Sequence, residues 1–140
     1  MLATLERFFA AEAAYPAAGG PGRALFDDMA DCLTPDAVLH QAESLPYGGV
    51  YRGPAGVERF MGEMSRCWSS LEFLEQRFVV DADSAVVSNH GVLVARGSGR
   101  RLETSVMQLI TVRGDRISEF RPFYRDTLAV ARALGSARAE

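Results

Sequence analysis

Lysine is absent from the chain: all fifteen basic residues are arginines. Schiff-base chemistry and a lysine-anchored pyridoxal cofactor both need an amine that can give up its proton, so neither is open to this protein. A Walker-type phosphate loop, whose lysine reaches the phosphates, falls on the same ground. Cysteine and histidine are scarce as well, with two of each. Cys32 and Cys67 stand apart on expected helices, and no His, Cys and acid cluster has the spacing of a metal site. We therefore expect no metal and no cofactor, and read both cysteines as buried free thiols of a reducing compartment.

Long apolar runs are missing too. Glu6 and Glu12 interrupt the first segment, which argues against a signal peptide and a membrane span and makes a cytoplasmic location the expectation. Nor is there a basic face. The net charge is -3, and Arg100 and Arg101 are soon followed by Glu103. A nucleic-acid partner needs massed positive charge to displace counterions from phosphates, so none is expected.

What is present fits one α+β domain. The 140 residues are 48% hydrophobic and 24% charged, enough for a single core with a solvated surface. Leu2, Leu5, Phe8 and Phe9 recur at helical spacing over 1–15, before Pro16 and the run Gly19-Gly20-Pro21-Gly22. A second helix is predicted over 23–33 from Leu25, Phe26, Met29 and Leu33, ended by Thr34-Pro35-Asp36. Residues 37–41 read as a short strand and 43–49 as a loop. Pro54 opens a third helix, where its missing N–H costs nothing, with Val57, Phe60, Met61, Met64 and Trp68 on one face.

Four strands with tight connections follow, over 71–80, 85–95, 102–112 and 116–123, an antiparallel meander. Asp126 or Thr127 caps a last short helix that stops at Gly135. The domain spans 1–135, with a polar tail at 136–140. Helices cover one face of such a sheet, yet Met107 and Leu109 point one way while Val106 and Ile110 point the other. The second apolar face needs a cavity or a second subunit.

Three stretches, Asp36-Ala37-Val38-Leu39-His40, Tyr51-Arg52-Gly53-Pro54-Ala55-Gly56 and Gly114-Asp115-Arg116-Ile117-Ser118-Glu119-Phe120-Arg121-Pro122, together with the element order, resemble the nuclear transport factor 2-like superfamily, in its SnoaL-like branch. That resemblance implies a curved, mixed or antiparallel sheet wrapped by the three helices of the N-terminal half into a cone with an internal pocket, and a homodimer. It implies, too, chemistry related to ketosteroid isomerase and polyketide cyclases. Matching residue by residue puts Gln41 where those isomerases carry their carboxylate base. Gln108 falls near the acidic oxyanion donor. Both are amides here, which keep hydrogen bonding but cannot take a proton from carbon.

The acid–base candidates are then His40, Glu43 and His90. A pocket imidazole suits general acid or base work, and a carboxyl in an apolar pocket suits proton transfer. The plainer readings are a histidine tied to the core or rim for His40, a solvated loop acid for Glu43, and a satisfied structural histidine for His90. Tyr47, Tyr51, Trp68 and Tyr124 offer apolar area with a polar tip, as ligand pockets do; Trp68 fits the core equally well. Gln41 and Gln108 join them as ligand-binding candidates, and Arg121 is either an ion-pair partner or a carboxylate clamp.

The function these residues favour is a cofactor-free isomerase, cyclase or dehydratase acting on a small apolar carbonyl compound, polyketide-, steroid- or terpenoid-like. The alternative is a non-catalytic ligand-binding or dimeric interaction module. The two readings part on whether the acid–base candidates share one cavity.

Overall fold

The computed structural model describes residues 1–135; the expected tail at 136–140 lies outside the described residues. In chain order the elements are α1 (Leu2–Ala17), α2 (Asp27–Ala30), β1 (Leu33–Gln41), β2 (Gly49–Arg52), α3 (Gly53–Cys67), β3 (Trp68–Asp81), β4 (Ser84–Ala95), β5 (Arg101–Arg113), β6 (Arg116–Tyr124) and α4 (Thr127–Ala133). The strands make one open six-stranded sheet, β2-β1-β6-β5-β4-β3. β1 and β6 run parallel and every other neighbouring pair antiparallel. This is the α+β architecture with a mixed sheet that the sequence predicts.

The meander follows from its turns. Two-residue links, Ala82-Asp83 and Gly114-Asp115, join β3 to β4 and β5 to β6, and Ala82 and Gly114 adopt the positive φ such hairpins need. Asp126 caps α4, its carboxylate accepting from the Ala129 N–H at 3.0 Å.

Four local expectations need correction. The first helix passes through Pro16 to Ala17 before the positive-φ Gly19 and Gly20 stop it. The second helix shrinks to a single turn, because hydrogen bonds to Gly20 O already close a turn at Arg23 and Ala24, and Leu25 is left 82% exposed rather than in a stripe. The first strand starts at Leu33 and runs through Pro35, whose missing N–H is tolerated where the β1–β6 pairing shifts register between Leu33 and Val38. Trp68 opens β3 instead of closing α3: its backbone is already extended, while the Arg96 guanidinium holds the carbonyls of Ser65 and Trp68. Strand β2, too short to show a period, has no counterpart in the sequence reading.

α1 and α3 lie on the concave face of the sheet. Leu5, Phe8 and Phe9 from α1 and Val57, Phe60 and Met61 from α3 pack with sheet residues such as Leu39, Ile110, Ile117 and Phe120. Phe8 and Phe120 approach to 4.8 Å between ring centroids. Each such side chain contributes roughly 1.5–3 kcal/mol by leaving water. Within this packed layer a cavity opens between the two helices and β3, β4 and β5, and it is the cavity that gives the concave face its interest.

Candidate active site

About 60 Å³ of the cavity is open to the centres of water molecules. That is several times what one water needs. Phe60, Met64, Leu71, Phe73, Leu93 and Val106 form its apolar wall. Against that wall stand Glu12, Gln41, Tyr47, Asn89, Gln108 and Tyr124.

Glu12 sits on α1 among Leu5, Phe8, Phe9 and Tyr15, in the buried stripe of the helix. It is 9% exposed. Among the described residues nothing donates a hydrogen bond to its carboxyl and no cation pairs with it; burial alone raises its pKa from 4.5 to about 7. A carboxylate deprived of water and of partners favours its neutral form.

The tyrosines form a chain beside it. Trp68 Nε1 donates to the Tyr47 hydroxyl at 3.3 Å, and the Tyr124 hydroxyl donates to Gln41 Oε1 at 2.8 Å. The Tyr51 hydroxyl donates to the Tyr47 carbonyl at 2.9 Å and so fixes the loop that carries Tyr47. Burial pushes the Tyr47 phenol up to about 12, against the opposing effect of the neighbouring Trp68 N–H and Tyr124. Burial, then the neighbouring Tyr47, pushes Tyr124 well above its ordinary range. Both phenols therefore stay protonated, the Tyr124 proton being committed to Gln41. On the β3 side, Gln76 Nε2 donates to Asn89 Oδ1 at 2.9 Å.

Of the residues singled out in the sequence, Gln41, Tyr47, Gln108 and Tyr124 line the cavity. Trp68 and Tyr51 stand behind Tyr47 and orient it. His40 lies on the opposite, convex face, its Nε2 3.1 Å from Glu119 Oε2. Arg121 joins that carboxylate at 3.0 Å as an ion-pair partner. Burial works against ionisation of Glu119, but the hydrogen bonds from His40 and Arg121 prevail and hold its carboxyl below the usual range. Glu43 is exposed on the β1–β2 loop. His90 is also convex, with Nδ1 2.7 Å from Ser105 Oγ and Nε2 2.7 Å from Glu103 Oε2. The three acid–base candidates thus share no cavity with each other or with the amides.

Polar residues of the site that escape the sequence reading are Glu12, Asn89 and Thr104, and the first two are buried. Each of those two breaks the apolar pattern of a buried face: Glu12 at helical period with Leu5 and Phe8, and Asn89 alternating with Val87 and Leu93. That interruption is the signal that could have found them. No group of three or more His, Cys, Asp and Glu that could hold a metal occurs among the described residues, and no helix of theirs is long and apolar enough to cross a membrane.

Comparison with known proteins is consistent with this geometry. An NTF2-like protein from Burkholderia xenovorans LB400 superposes with a TM-score of 0.78 at 23% identity, over 95% of this chain and 94% of that one. A putative SnoaL-like polyketide cyclase from Jannaschia sp. CCS1 gives 0.77 at 21% identity, over 99% and 92%. TerC, co-crystallised with polyporic acid, gives 0.76 at 17% identity, over 95% and 98%. At these identities the likeness is one of fold. No curated protein matches the chain. The family model described as a SnoaL-like domain matches residues 5–120, most of the length, and the chain belongs to that family.

Proposed function

We propose that this protein binds a small, mostly apolar carbonyl compound, polyketide-, steroid- or terpenoid-like, and moves a proton beside the carbonyl by acid–base chemistry of its own side chains. Glu12 is the observation that carries this reading: a buried, unpartnered carboxyl facing a cavity, with a pKa of about 7. Such a group is a base and an acid in comparable amounts near neutral pH, the condition that serves proton transfer best. As the carboxylate takes the proton, the C–H electron pair moves into an enolate and negative charge grows on the former carbonyl oxygen. The Tyr47 hydroxyl and the amide N–H groups of the wall are donors suited to that oxygen. Isomerisation, cyclisation and dehydration all share this step. The Jannaschia relative's name, a putative polyketide cyclase, points the same way.

Deuterium uptake into 2-indanone, a ketone of modest size with acidic C–H bonds, tests the reading. In D2O the wild-type protein is expected to catalyse saturable exchange whose rate rises with pH to a plateau, with a midpoint near 7, and Glu12→Gln to lose it. His40, Glu43 and His90 lie outside the cavity and the cavity is rich in amides, which favours a second reading, a binding module that does not turn over. Glu12, an acid the sequence reading did not weigh, is what keeps proton transfer ahead of it. Saturable binding of 2-indanone by the wild type with no exchange would select the binding module.

The convex face bears on the partner. Val79, Val86, Leu109, Met107 and Phe123 are exposed there and adjoin across β3 to β6. Both signs of charge rim them, with Arg77 and Arg121 against Glu75 and Glu119, so a second copy related by a two-fold axis can cover the apolar centre and match the rim. We propose a homodimer through this face. The double variant Met107→Glu with Phe123→Glu is expected to sediment as a monomer at concentrations where the wild type is dimeric; a variant that stays dimeric sinks the assignment.

A further inference from the structure

Gln76 lies on β3 directly opposite Asn89 of β4 in the strand register, and it is not part of the cavity wall. We infer that Gln76 is a positioning residue that sets the polarity with which the cavity reads its ligand, turning Asn89 so that the site selects a ligand oxygen able to accept. The inference rests on the cavity being the ligand site proposed above, but not on proton transfer there.

The argument runs through the chemistry of a carboxamide, which has one accepting oxygen and one donating NH2 group. Gln76 Nε2 donates to Asn89 Oδ1 at 2.9 Å. With its oxygen committed to Gln76, Asn89 turns its NH2 group away from that residue. Asn89 is 6% exposed and lines the cavity, and among the described residues its NH2 group has no protein acceptor. That NH2 group opens on the cavity, where a ligand oxygen that displaces water can accept from it.

Gln41 repeats the arrangement on the far wall. The Tyr124 hydroxyl occupies Gln41 Oε1 at 2.8 Å, which leaves the NH2 group of Gln41 as the free end. Gln41 is 9% exposed and lines the same cavity. Two buried amides therefore have their oxygens occupied by protein donors and their nitrogens left over. To these two N–H groups the fitting ligand presents an accepting oxygen, a carbonyl first of all, while Glu12 and Gln108 of the same wall remain able to accept from a donor elsewhere on it.

Three bicyclic probes of similar size separate the possibilities: 2-indanone accepts, indole donates through N–H, and indane does neither. Their affinities for the whole chain are measured by NMR titration at pH 8, and the quantity read is the ratio of 2-indanone to indole affinity. Glu12 contributes equally to that ratio in every variant and cancels. Gln76→Glu puts an acceptor-only carboxylate opposite Asn89, which then gives residue 76 its NH2 group and shows the cavity its oxygen. The ratio is expected to fall about tenfold or more, the scale of one net hydrogen bond. Gln76→Leu releases Asn89 to rotate and should land between the two, with indane affinity unchanged throughout, which shows the cavity's shape intact.

If Gln76→Glu does not fold, as judged by its thermal transition, the leucine variant carries the test. A ratio within twofold of wild type in every folded variant overturns the inference. Binding of none of the three probes to the wild type overturns the pocket reading with it. Selectivity that shifts as expected in a protein that exchanges no deuterium leaves this inference standing and removes the proton-transfer one.

Discussion

Replacing Glu12 with glutamine is expected to stabilise the fold by about 3 kcal/mol above pH 7 and to slow proton exchange by about two to four orders of magnitude. Both effects come from one burial. The unfolded chain gives this carboxyl its ordinary pKa of 4.5, and the folded protein raises it to about 7. Below pH 4.5 the group is protonated in both states and costs nothing. As pH rises from 4.5 towards 7 the unfolded state ionises first, which draws the equilibrium away from the fold. Above 7 both states are ionised and the loss levels off. Glutamine does not ionise, so its curve lacks the decline. Urea unfolding at pH 5 and pH 8 measures the difference, and the melting temperatures at pH 8 should differ by on the order of 10 °C. Parallel pH curves for the two proteins would mean that Glu12 is solvated or paired, and the base assignment would go with the stability effect. Proteins tolerate an ion in such a place at a cost in stability when the site needs it.

The meander was legible because each strand alternates over many residues and ends at a glycine or aspartate turn. The helix over 23–33 was not, since Leu25, Phe26 and Met29 mimic a stripe while the hydrogen bonds of Gly20 close the chain into turns first. Strand β2 has four residues, too few for any period. The site shows a subtler limit. Alternation along β1 puts His40 with Val38 and Gln41 with Leu39 and Ala37, but it does not say which set faces inward. That is decided by where α1 and α3 pack, and they cover the side of Ala37, Leu39 and Gln41. The same parity puts Asn89 inside and its neighbour His90 outside. Glu12 was within reach of sequence reasoning, as a carboxyl at the period of Leu5 and Phe8. As a charge in an N-terminal segment it speaks only against a membrane span; as a member of the buried stripe it is a carboxyl in the cavity wall.

Gly91→Ala is expected to cost about 3 kcal/mol or more and to abolish ligand binding, although the change adds a single methyl group. Gly91 lines the cavity on β4 and pairs with Phe73, beside the place where the β3 register slips between Phe73 and Glu75. That bulge lets β3 bend over its neighbour, and the bend brings the Glu72 carbonyl oxygen to where a side chain at 91 would begin. An added Cβ would lie 2.3 Å from that oxygen. The obstruction is backbone, so no rotamer relieves it. The strands must separate or the bulge must flatten, and either change moves the cavity wall formed by Leu71 and Phe73. Gly97→Ala supplies the contrast, because nothing lies within 4 Å of a Cβ there and its φ is ordinary. That variant should stay within about 0.5 kcal/mol of wild type and keep its affinity for 2-indanone. Denaturant unfolding and 2-indanone titration of the pair decide the matter. If Gly91→Ala is as stable and as competent as Gly97→Ala, β3 does not bend tightly over β4 in solution, and the cavity on which Glu12, Asn89 and Gln41 converge is wider than drawn.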